Sequence, residues 1–463
     1  MTADAWGAGA GVLVIGLGRT GLACVQVLRA RGARVFAVDE KSVADLRAQL
    51  AEVEGFGAAF VAPDELAGAL SEVNAAVLSP GVPMDGGLVR SVQSAGIPLL
   101  SEIELAYRLS ASPMIAVTGT KGKSTTTALI GHLLSEAGKR AFVGGNIGNA
   151  LVHEVQKAGP EDWIVAEVSS FQLEAIQEFK PRISVMLNLS PDHLDRYKSM
   201  DDYAAAKFRI FANQGANETF IANLDDVRLE KLHSSHARSA VKANQLWFSR
   251  DRDARSAMYV HQGAIVFAPP EVQPMDIVSV DQLPQAGAHN VENVMAAFLA
   301  VVAAGVNPRV LAQCLRGFRP MPHRLEVVGQ IGGVTYVDDS KATNPDAVIA
   351  ALHAYDAPVI LIAGGKSKNT DFSSLGAAID RRAKNLIVIG EAAEELASRV
   401  ERTPTVHVAT LEEAVRTARS LAAPGDIVLL SPGCASFDMF TSAEQRGTAF
   451  SAAVAGSRAT ADA

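Results

Sequence analysis

The residues with the clearest chemistry form a loop rich in glycine and lysine. Residues 118–125 read Thr-Gly-Thr-Lys-Gly-Lys-Ser-Thr and follow the apolar run Met114–Val117. A strand, such a loop and then a helix present backbone N–H groups to phosphate oxygens. Lys123 would reach the β- and γ-phosphates of a nucleotide, and the Ser124 hydroxyl would face Mg²⁺. Val117 replaces the first glycine of the usual pattern, but the Gly-Lys-Ser core is complete.

A metal ion at this loop needs further ligands. Glu167 ends the apolar run Trp163–Ala166, and His193 also follows a strand-like run. Side chains that follow parallel strands collect at one edge of the sheet, so both could bind Mg²⁺ beside the loop. The residues alone leave open whether each is a ligand or a structural side chain. Lys207, by the same local reasoning, is a solvated lysine on a helix.

A second glycine motif lies near the N-terminus. Gly16, Gly18 and Gly21 are spaced Gly-x-Gly-x-x-Gly between an apolar run and a helical stretch, and Asp39 ends the next apolar run. This spacing is typical of loops that place a nucleotide diphosphate on a helix N-terminus. Taken alone, the motif predicts an NAD-dependent dehydrogenase, although the glycines could serve only close packing. It does not specify which nucleotide binds.

Apolar runs that alternate with helical stretches predict the elements that carry these residues. Continuous apolar runs are typical of buried parallel strands, so we expect an α/β fold. The predicted strands are Val12–Ile15, Val35–Val38, Ala75–Leu78, Ile97–Leu100, Met114–Val117, Trp163–Val168, Ile183–Leu187, Gln245–Phe248, Ala264–Phe267, Val334–Val337, Val359–Ile362, Leu386–Ile389, Val406–Val408 and Ile427–Leu430. The predicted helices are Arg19–Ala30, Val43–Ala51, Lys123–Ala137, Val291–Ala304 and Pro308–Leu315.

Length and spacing predict three segments. A chain of 463 residues corresponds to roughly three domains of ~150 residues each. A second segment starts near Ser101, and Phe318–Pro322 is the best linker before a third. Both the first and the third segment alternate strands and helices, as doubly wound sheets do.

The composition is that of a globular protein and argues against a protein that binds nucleic acid or membranes. Hydrophobic residues make up 48% of the chain and charged residues 20%, proportions ordinary for a globular protein. The net charge of −8 argues against nucleic acid or an anionic membrane surface as a partner. We expect no signal peptide and no membrane span, which would need ~20 apolar residues. Three widely separated cysteines, Cys24, Cys314 and Cys434, fit a reducing compartment, so we expect a cytoplasmic enzyme.

Taken together, the motifs resemble those of the Mur ligases, the ATP-dependent enzymes that add amino acids in peptidoglycan synthesis. The resemblance covers nearly the whole chain, and the N-terminal glycine motif favours the members that add D-glutamate. The matching stretches are Gly16–Gly21, Ser79–Gly81, Thr118–Thr125, Gly144–Gly148, Glu167–Gln172, Asp192–Asp195, His289–Asn290, His323–Arg324, Asp338–Asn344 and Ser431–Ser436.

The resemblance implies a fold, a reaction and a set of partners. Residues 1–102 would form a Rossmann-like domain for the UDP-linked substrate, residues 103–320 a central P-loop ATPase domain, and residues 321–463 a Rossmann-like domain for the amino acid. D-glutamate would be joined to UDP-N-acetylmuramoyl-L-alanine through an acyl phosphate, giving ADP and phosphate. The implied cofactors are ATP and two Mg²⁺ ions, and we expect a monomer.

The resemblance also assigns roles to residues in the matching motifs. Lys207 lies where the family has a lysine carbamylated by CO₂. The implied metal ligands are Ser124, Glu167, His193 and the carbamate of Lys207, and Lys123 is the further catalytic residue. The implied ATP contacts are Gly119, Thr120, Lys121, Gly122, Lys123, Ser124, Thr125, Asn290, Asn293, Arg324 and Asp339. The UDP-linked substrate would contact Gly18, Arg19, Thr20, Asp39, Lys41, Ser79, Gly81, Asn146, Ser169 and Gln172, and the amino acid would contact Lys341, Thr343, Lys368 and Ser436.

Two departures from the family pattern concern the amino-acid site. After Gly364 and Gly365 the family often has Asp-Lys-Gly, whereas this chain has Lys-Ser-Lys, so Lys366 competes with Lys368 for the amino acid. Ala443 lies where some relatives carry phenylalanine. The alternatives are a sibling ligase that adds another amino acid, an NAD-dependent dehydrogenase and a nucleotide switch without catalysis.

Overall fold

The computed structural model describes residues 6–193, 196–234, 241–284, 287–319, 322–367 and 371–459. The chain forms two compact units, one of Met1–Val280 with Glu292–Gly317 and the other of Asp281–Val291 with Phe318–Ala463. The first unit holds a five-stranded and a nine-stranded sheet, and the second holds a six-stranded sheet. The predicted α/β fold with mainly parallel sheets is confirmed.

The first sheet is entirely parallel, with strand order β3-β2-β1-β4-β5. Its central strand β1 is buried at every position, as the apolar run predicts. One face of the sheet shares a continuous core with the second sheet, and the other has a core of its own. Its elements are β1 (Gly11–Ile15), α1 (Arg19–Ala30), β2 (Arg34–Val38), α2 (Arg47–Gly55), β3 (Ala59–Phe60), α3 (Leu66–Ala69), β4 (Ala75–Leu78), α4 (Gly87–Ser94) and β5 (Leu99–Ser101).

The helix predicted at Val43–Ala51 is displaced and begins at Arg47. The Ser42 hydroxyl accepts from the Asp45 N–H at 3.3 Å and donates to the Asp45 carboxylate at 2.6 Å. Serine and aspartate side chains that bond nearby groups favour a turn over a helix interior. The turn therefore delays the helix by about one turn.

The second sheet has the order β14-β13-β12-β11-β10-β9-β6-β8-β7. Strands β6 to β12 are parallel, and β13 and β14 extend one edge by antiparallel pairing. Its elements are α5 (Glu102–Leu109), β6 (Met114–Thr118), α6 (Lys123–Glu136), β7 (Ala141–Gly145), α7 (Leu151–Glu154), β8 (Trp163–Glu167), α8 (Ser170–Glu174), β9 (Ile183–Met186), α9 (Met200–Phe208), β10 (Thr219–Asn223), α10 (Val227–Ser234), β11 (Asn244–Ser249), β12 (Met258–His261), β13 (Ala264–Phe267), β14 (Met275–Ser279), α11 (Ala288–Ala303) and α12 (Leu311–Leu315).

The sheet order places the phosphate loop between two other strand ends. Strand β6 lies between β8 and β9, with Val117 opposite Glu167 and Thr118 opposite Met186. The loops after β6, β8 and β9 therefore leave the same edge of the sheet. Glu167 ends β8 and His193 lies in the segment that follows β9, so both belong to segments that leave this edge.

The sheet of the second unit has the order β15-β16-β20-β17-β18-β19, and β15 alone of its strands is antiparallel. An apolar core covers each face of it. Its elements are β15 (Glu326–Ile331), β16 (Val334–Asp338), α13 (Pro345–Leu352), β17 (Val359–Gly364), α14 (Ser373–Arg382), β18 (Ala383–Ile389), α15 (Ala393–Ala397), β19 (Thr405–His407), α16 (Leu411–Leu421), β20 (Ile427–Leu430) and α17 (Ala443–Ala459). Among the described residues, no helix has both the length and the apolar composition that a membrane span requires.

Candidate active site

The phosphate loop is held in a shape that only glycine adopts easily. Gly119 has φ 150° and Gly122 has φ 81°, both in the region that L side chains rarely occupy. A Cβ at Gly122 would lie 2.2 Å from the Asn293 Oδ1 atom, and one at Gly119 would lie 3.0 Å from the Leu187 Cβ. The loop is thus closely backed on the protein side. Its backbone at the start of α6 can approach a phosphate without interference from side chains.

An asparagine after β9 fixes the middle of the loop. The Asn188 Oδ1 atom accepts from the Lys121 N–H at 2.8 Å, and its Nδ2 atom donates to the Lys121 carbonyl at 3.1 Å. The Thr120 N–H also donates to the Asn188 carbonyl, at 2.9 Å. The side chain and the carbonyl of Asn188 therefore hold the backbone of the loop in place. No local sequence pattern indicates this role of Asn188, because these bonds join residues more than sixty positions apart.

Two lysines converge on one carbonyl of the loop. The Lys123 ammonium donates to the Gly119 and Thr120 carbonyls at 3.0 and 2.9 Å. The Lys207 ammonium donates to the same Gly119 carbonyl at 2.8 Å. Burial, and then the charge of Lys123, hold the pKa of Lys207 well below its ordinary value. The side chains of both lysines thus meet at the loop.

The interpretation of Lys207 as a solvated lysine is wrong. The residue is 2% exposed, and its Nζ atom lies 4.8 Å from the centre of the Tyr203 ring. Lys207 and Tyr203 are four residues apart, so both project from the buried face of α9. Tyr203 also bonds the Thr120 hydroxyl at 3.2 Å. The aromatic residue one turn before Lys207 was the signal that could have indicated its burial.

Glu167 has one carboxylate oxygen that the described residues leave without a partner. Its Oε1 atom accepts from the Asn146 Nδ2 at 2.8 Å, whereas its buried Oε2 atom has no hydrogen bond. The residue is 2% exposed. A buried, unpaired carboxylate oxygen is costly unless a cation satisfies it. The residues present therefore fit a hard metal ion between Glu167 and the phosphate loop.

His193 lies on the solvent side of the same group of residues. Its backbone has φ 54°, and its side chain is 45% exposed. The ring packs 4.7 Å from the Phe171 ring, between centroids, and 6.3 Å from that of Tyr203. Tyr203 thus contacts residues on both sides, Lys207 and Thr120 as well as His193. The neighbouring Asp195 lies outside the described residues.

Asn146, Ser169 and Gln172 meet around the end of β8. The Asn146 N–H donates to the Glu167 carbonyl at 2.9 Å, in addition to the side-chain bond. The Ser169 hydroxyl accepts from the Gln172 N–H at 3.2 Å, and the Gln172 side chain accepts from the Ser169 N–H at 2.9 Å. This capping box starts α8 and fixes its entry angle. These three predicted substrate residues therefore adjoin Glu167, the predicted metal ligand.

Two buried glutamates of α5, which no sequence motif indicates, support these loops. Glu102 is fully buried, and its Oε1 atom accepts from the Val152 N–H at the start of α7, at 2.7 Å. Burial raises the pKa of Glu102 to about 7. Glu104 accepts from the N–H groups of Gln177 and Phe179, each at 2.8 Å. One helix thus anchors the segments that follow β7 and α8.

The N-terminal glycine loop uses Asp39 as an internal partner. The Asp39 Oδ2 atom accepts from the Leu17 N–H at 2.7 Å, and its Oδ1 atom accepts from the Lys41 N–H at 3.0 Å. A Cβ at Gly16 would lie 3.0 Å from the Ser79 Cβ, so the loops after β1 and β4 touch. The remaining residues predicted for this site are exposed or half-buried around these loops: Gly18, Arg19, Thr20, Lys41 and Gly81.

The strand ends of the second unit hold a polar group of their own. Asp339 is 8% exposed, and burial raises its pKa to about 7. Its Oδ2 atom accepts from the Ser431 hydroxyl at 2.8 Å, and Arg324 lies close enough to lower its pKa in part. Lys341 forms an ion pair with Glu444. These contacts gather residues from the loops after β16 and β20.

The other predicted residues of this group differ in burial. Ser436 is 2% exposed and Thr343 is half-buried. Lys368, predicted for the amino acid, lies outside the described residues.

On α11, Asn290 and Asn293, which are predicted to contact ATP, are both buried, and the Asn293 Oδ1 atom accepts from the Thr126 hydroxyl at 3.2 Å. Asn293 is therefore in contact with the start of α6.

Three family profiles match consecutive parts of the chain. The Mur ligase MurD-like N-terminal domain matches residues 10–101, and the Mur ligase middle domain matches residues 117–301. The glutamate ligase domain of the Mur ligases matches residues 323–434. Together they include the glycine motif, the phosphate loop and the strand ends of the second unit.

Curated relatives resemble the chain over almost its full length. A UDP-N-acetylmuramoylalanine–D-glutamate ligase from Pelotomaculum thermopropionicum is 44% identical over 449 residues, covering 95% of this chain and 96% of the relative. A ligase of the same name from Koribacter versatilis is 41% identical over 439 residues, covering 95% and 96%.

Solved structures of related ligases share the fold. MurF from Acinetobacter baumannii superposes with a TM-score of 0.60 at 18% identity, covering 98% of this chain and 93% of that one. UDP-N-acetylmuramate–alanine ligase MurC from Thermotoga maritima superposes with a TM-score of 0.58 at 17% identity, covering 96% and 99%. With three matching domain profiles and relatives above 40% identity, the chain belongs to the Mur ligase family.

Proposed function

We propose that this chain ligates D-glutamate to UDP-N-acetylmuramoyl-L-alanine in cytoplasmic peptidoglycan precursor synthesis, with ATP converted to ADP and phosphate. The observation that carries the proposal is the 44% identity over 95% of the chain to a ligase of that name. The geometry agrees with an ATP-consuming enzyme, because a glycine loop with two lysines lies beside an unpaired buried carboxylate oxygen. We expect the enzyme to act as a monomer.

The reaction has two steps. A carboxylate is a poor electrophile, so an oxygen of the alanyl carboxylate first attacks the γ-phosphorus of ATP. The bond from that phosphorus to the bridging oxygen breaks, ADP leaves, and an acyl phosphate forms. The neutral amine of glutamate then attacks the acyl carbon, and phosphate leaves with the former carboxylate oxygen. Lys123 and the loop N–H groups would hold the γ-phosphate in line and balance its charge.

The polar residues around the loop would bind the metal. Ser124, Glu167, His193 and Lys207 in its carbamate form are the ligands that we propose for two Mg²⁺ ions. Magnesium would neutralise phosphate charge and orient the reacting oxygens. The carbamate proposal is supported by the burial of Lys207, because burial disfavours the ammonium form and only a neutral amine attacks CO₂.

We assign the remaining ligand contacts from the positions of the residues in the family motifs. ATP would also contact Gly119, Thr120, Lys121, Gly122, Thr125, Asn290, Asn293, Arg324 and Asp339. The UDP-linked substrate would contact Gly18, Arg19, Thr20, Asp39, Lys41, Ser79, Gly81, Asn146, Ser169 and Gln172. Lys341, Thr343, Lys368 and Ser436 would bind the amino acid, whose two carboxylates need cationic and hydroxyl partners. We place the domain boundaries near residues 102 and 320.

The curated relatives argue against an NAD-dependent dehydrogenase. Ligases named UDP-N-acetylmuramoylalanine–D-glutamate ligase match 95% of this chain at 44% and 41% identity. The second alternative, a sibling ligase, differs only in the amino acid that it adds.

Phosphate release from ATP tests the proposal. The purified chain would be given UDP-N-acetylmuramoyl-L-alanine and, in separate reactions, D-glutamate, L-glutamate, L-alanine, L-lysine and meso-diaminopimelate. We expect release with D-glutamate alone, and a product heavier by one glutamyl residue. Release with a different amino acid would assign the chain to a sibling ligase. Without release in any reaction, the proposed function would be wrong.

A further inference from the structure

Arg446 is a fully buried cation in the second unit. It is 1% exposed and lies in the first turns of α17. Its Nε atom donates to the Ser340 hydroxyl and its Nη2 atom to the Ser340 carbonyl, both at 2.9 Å. Nη2 also donates to the Cys434 carbonyl at 3.2 Å, and Nη1 donates to the Ala435 carbonyl at 3.3 Å. One guanidinium group therefore binds two loops at four points.

These contacts lie beneath the ends of three neighbouring strands. Ser340 follows β16 and Cys434 follows β20, and β17 is the next strand in the sheet. The loop after β17 packs directly against the guanidinium, since a Cβ at Gly365 would lie 3.1 Å from Nη1. The Lys366 N–H donates to the Ala435 carbonyl at 2.8 Å, which joins this third loop to the second.

Two of the three loops carry a residue that we assign to the amino acid, and the third carries Lys366, the alternative to Lys368. Lys341 directly follows Ser340, and Ser436 directly follows Ala435. Lys366 directly follows Gly365. The guanidinium thus fixes the three loops relative to one another. It contacts each loop at the residue that directly precedes Lys341, Lys366 or Ser436. A displacement of one loop would separate groups that have to bind a single small molecule together.

The charge of Arg446 is not neutralised by a direct ion pair. Among the described residues, no carboxylate oxygen lies within 4.0 Å of its nitrogens, and its hydrogen-bond acceptors are carbonyls and a hydroxyl. The charges of Asp438 and Asp338 act on Arg446 from beyond that distance. Asp338, at the end of β16, is bonded to His323 at 2.7 Å. Burial raises the pKa of the Cys434 thiol to about 12, so that group is neutral at pH 7. The carbonyl dipoles solvate the cation but leave its net charge, which attracts anions at the loops above it.

We propose that Arg446 is a positioning residue for the amino-acid site, which fixes the loops after β16, β20 and β17 and supplies positive potential for a dicarboxylate. The inference rests on the proposed function in one respect, that the amino acid binds at these loops. In this proposal α17 does not touch the substrate. It supports binding by holding the loops whose residues do.

The test compares the two half-reactions in matched variants. Arg446→Met removes the charge and the donors while keeping much of the volume, and Arg446→Lys keeps the charge with a single donor group. Arg416→Met is the control, because Arg416 is an exposed arginine on α16 of the same unit. The first step would be followed without amino acid by trapping the acyl phosphate with hydroxylamine. The second step would be followed through the KM for D-glutamate.

We expect Arg446→Met to raise the KM for D-glutamate at least ~10-fold, with hydroxamate formation lowered far less. Arg446→Lys should lie between that variant and the parent, and Arg416→Met should match the parent. The rise in unfolding temperature on adding D-glutamate should shrink in Arg446→Met, while the rise on adding an unreactive ATP analogue persists. An equal loss in both half-reactions, or an unchanged KM, would overturn the proposal. If the parent uses a different amino acid, the proposed function fails separately and the comparison is made with that amino acid.

Discussion

The ammonium groups of Lys123 and Lys207 both hydrogen-bond to the carbonyl oxygen of Gly119, at 3.0 and 2.8 Å. Two like charges at one oxygen repel each other, and burial strengthens the repulsion relative to water. The arrangement is favourable when negative charge binds close by or when one lysine is neutral. A polyphosphate on the loop would supply the negative charge, and a carbamate on Lys207 would remove the second cation.

Replacement of Lys123 should abolish most of the activity. Lys123→Ala removes a cation from the place where charge develops on the γ-phosphate, so turnover should fall at least ~10²-fold. Turnover is measured as phosphate release at saturating substrates. Lys242→Ala, at an exposed lysine of the same unit, should retain the parent rate. Near-normal turnover of Lys123→Ala would contradict the assignment of the phosphate loop.

Lys207 should take up CO₂. Carbon-labelled bicarbonate should give a carbamate signal in the NMR spectrum of the parent that is missing from Lys207→Ala. Removal of CO₂ should lower the parent activity, and small carboxylic acids should restore part of the activity of Lys207→Ala, because a carboxylate can replace the carbamate as a metal ligand. A parent without the signal, whose activity is indifferent to CO₂, would show that the buried lysine acts as a simple amine.

Gly122 should tolerate no side chain, and Gly138 provides a matched control. Both residues have positive φ, 81° and 78°, so alanine carries the same backbone strain at either place. Only at Gly122 would the Cβ meet another group, the Asn293 Oδ1 atom at 2.2 Å, whereas nothing lies within 4 Å at Gly138. We expect Gly122→Ala to raise the KM for ATP at least ~10-fold, from displacement of the loop.

In that comparison Gly138→Ala should keep its KM for ATP and lose about 1 kcal/mol of unfolding free energy. Equal KM values in the two variants would mean that the contact between Gly122 and Asn293 does not shape the nucleotide site.

Glu102 should make stability depend on pH. Burial raises its pKa from 4.5 to about 7, so the folded chain binds the proton more tightly than the unfolded chain. The stability associated with the neutral carboxyl is fully present below pH 4.5 and is lost as the pH rises to about 7. Glu102→Gln stays neutral at every pH, and its side-chain oxygen can still accept the Val152 N–H.

Unfolding of Glu102→Gln and of the parent should therefore be compared across this range. Between about pH 5 and about pH 8, the unfolding free energy of the parent should fall relative to that of Glu102→Gln by about 1–3 kcal/mol. The exposed Glu54→Gln on α2 should show no such trend. A difference that is independent of pH would mean that Glu102 keeps its ordinary pKa.

The sequence predicted the elements that carry the site better than it predicted the site itself. Met114–Val117 and the helix start at Lys123 are confirmed, because buried parallel strands and glycine loops leave strong local patterns. Several strands without a continuous apolar run were missed, among them β7 with its two glycines and the antiparallel edge strand β14. Edge and glycine-containing strands lack that pattern because part of each is not packed in the core.

The burial of charged side chains could not be predicted, since it depends on distant partners. Lys207 bonds a carbonyl 88 positions away, and Arg446 bonds Ser340, 106 positions away. Glu102 bonds Val152, 50 positions away. Apart from Tyr203, one turn before Lys207, the neighbours of these residues in the chain are ordinary, and only the sheet order brings their partners close.

The measurement that tests the account most directly follows an oxygen atom. UDP-N-acetylmuramoyl-L-alanine with heavy oxygen in its alanyl carboxylate would be converted with ATP and D-glutamate, and the released phosphate analysed by mass spectrometry. Transfer through an acyl phosphate predicts one heavy oxygen in the phosphate and a product that contains one glutamyl residue. Phosphate without label, or label in AMP, would contradict the account, because the carboxylate would then not have attacked the γ-phosphorus.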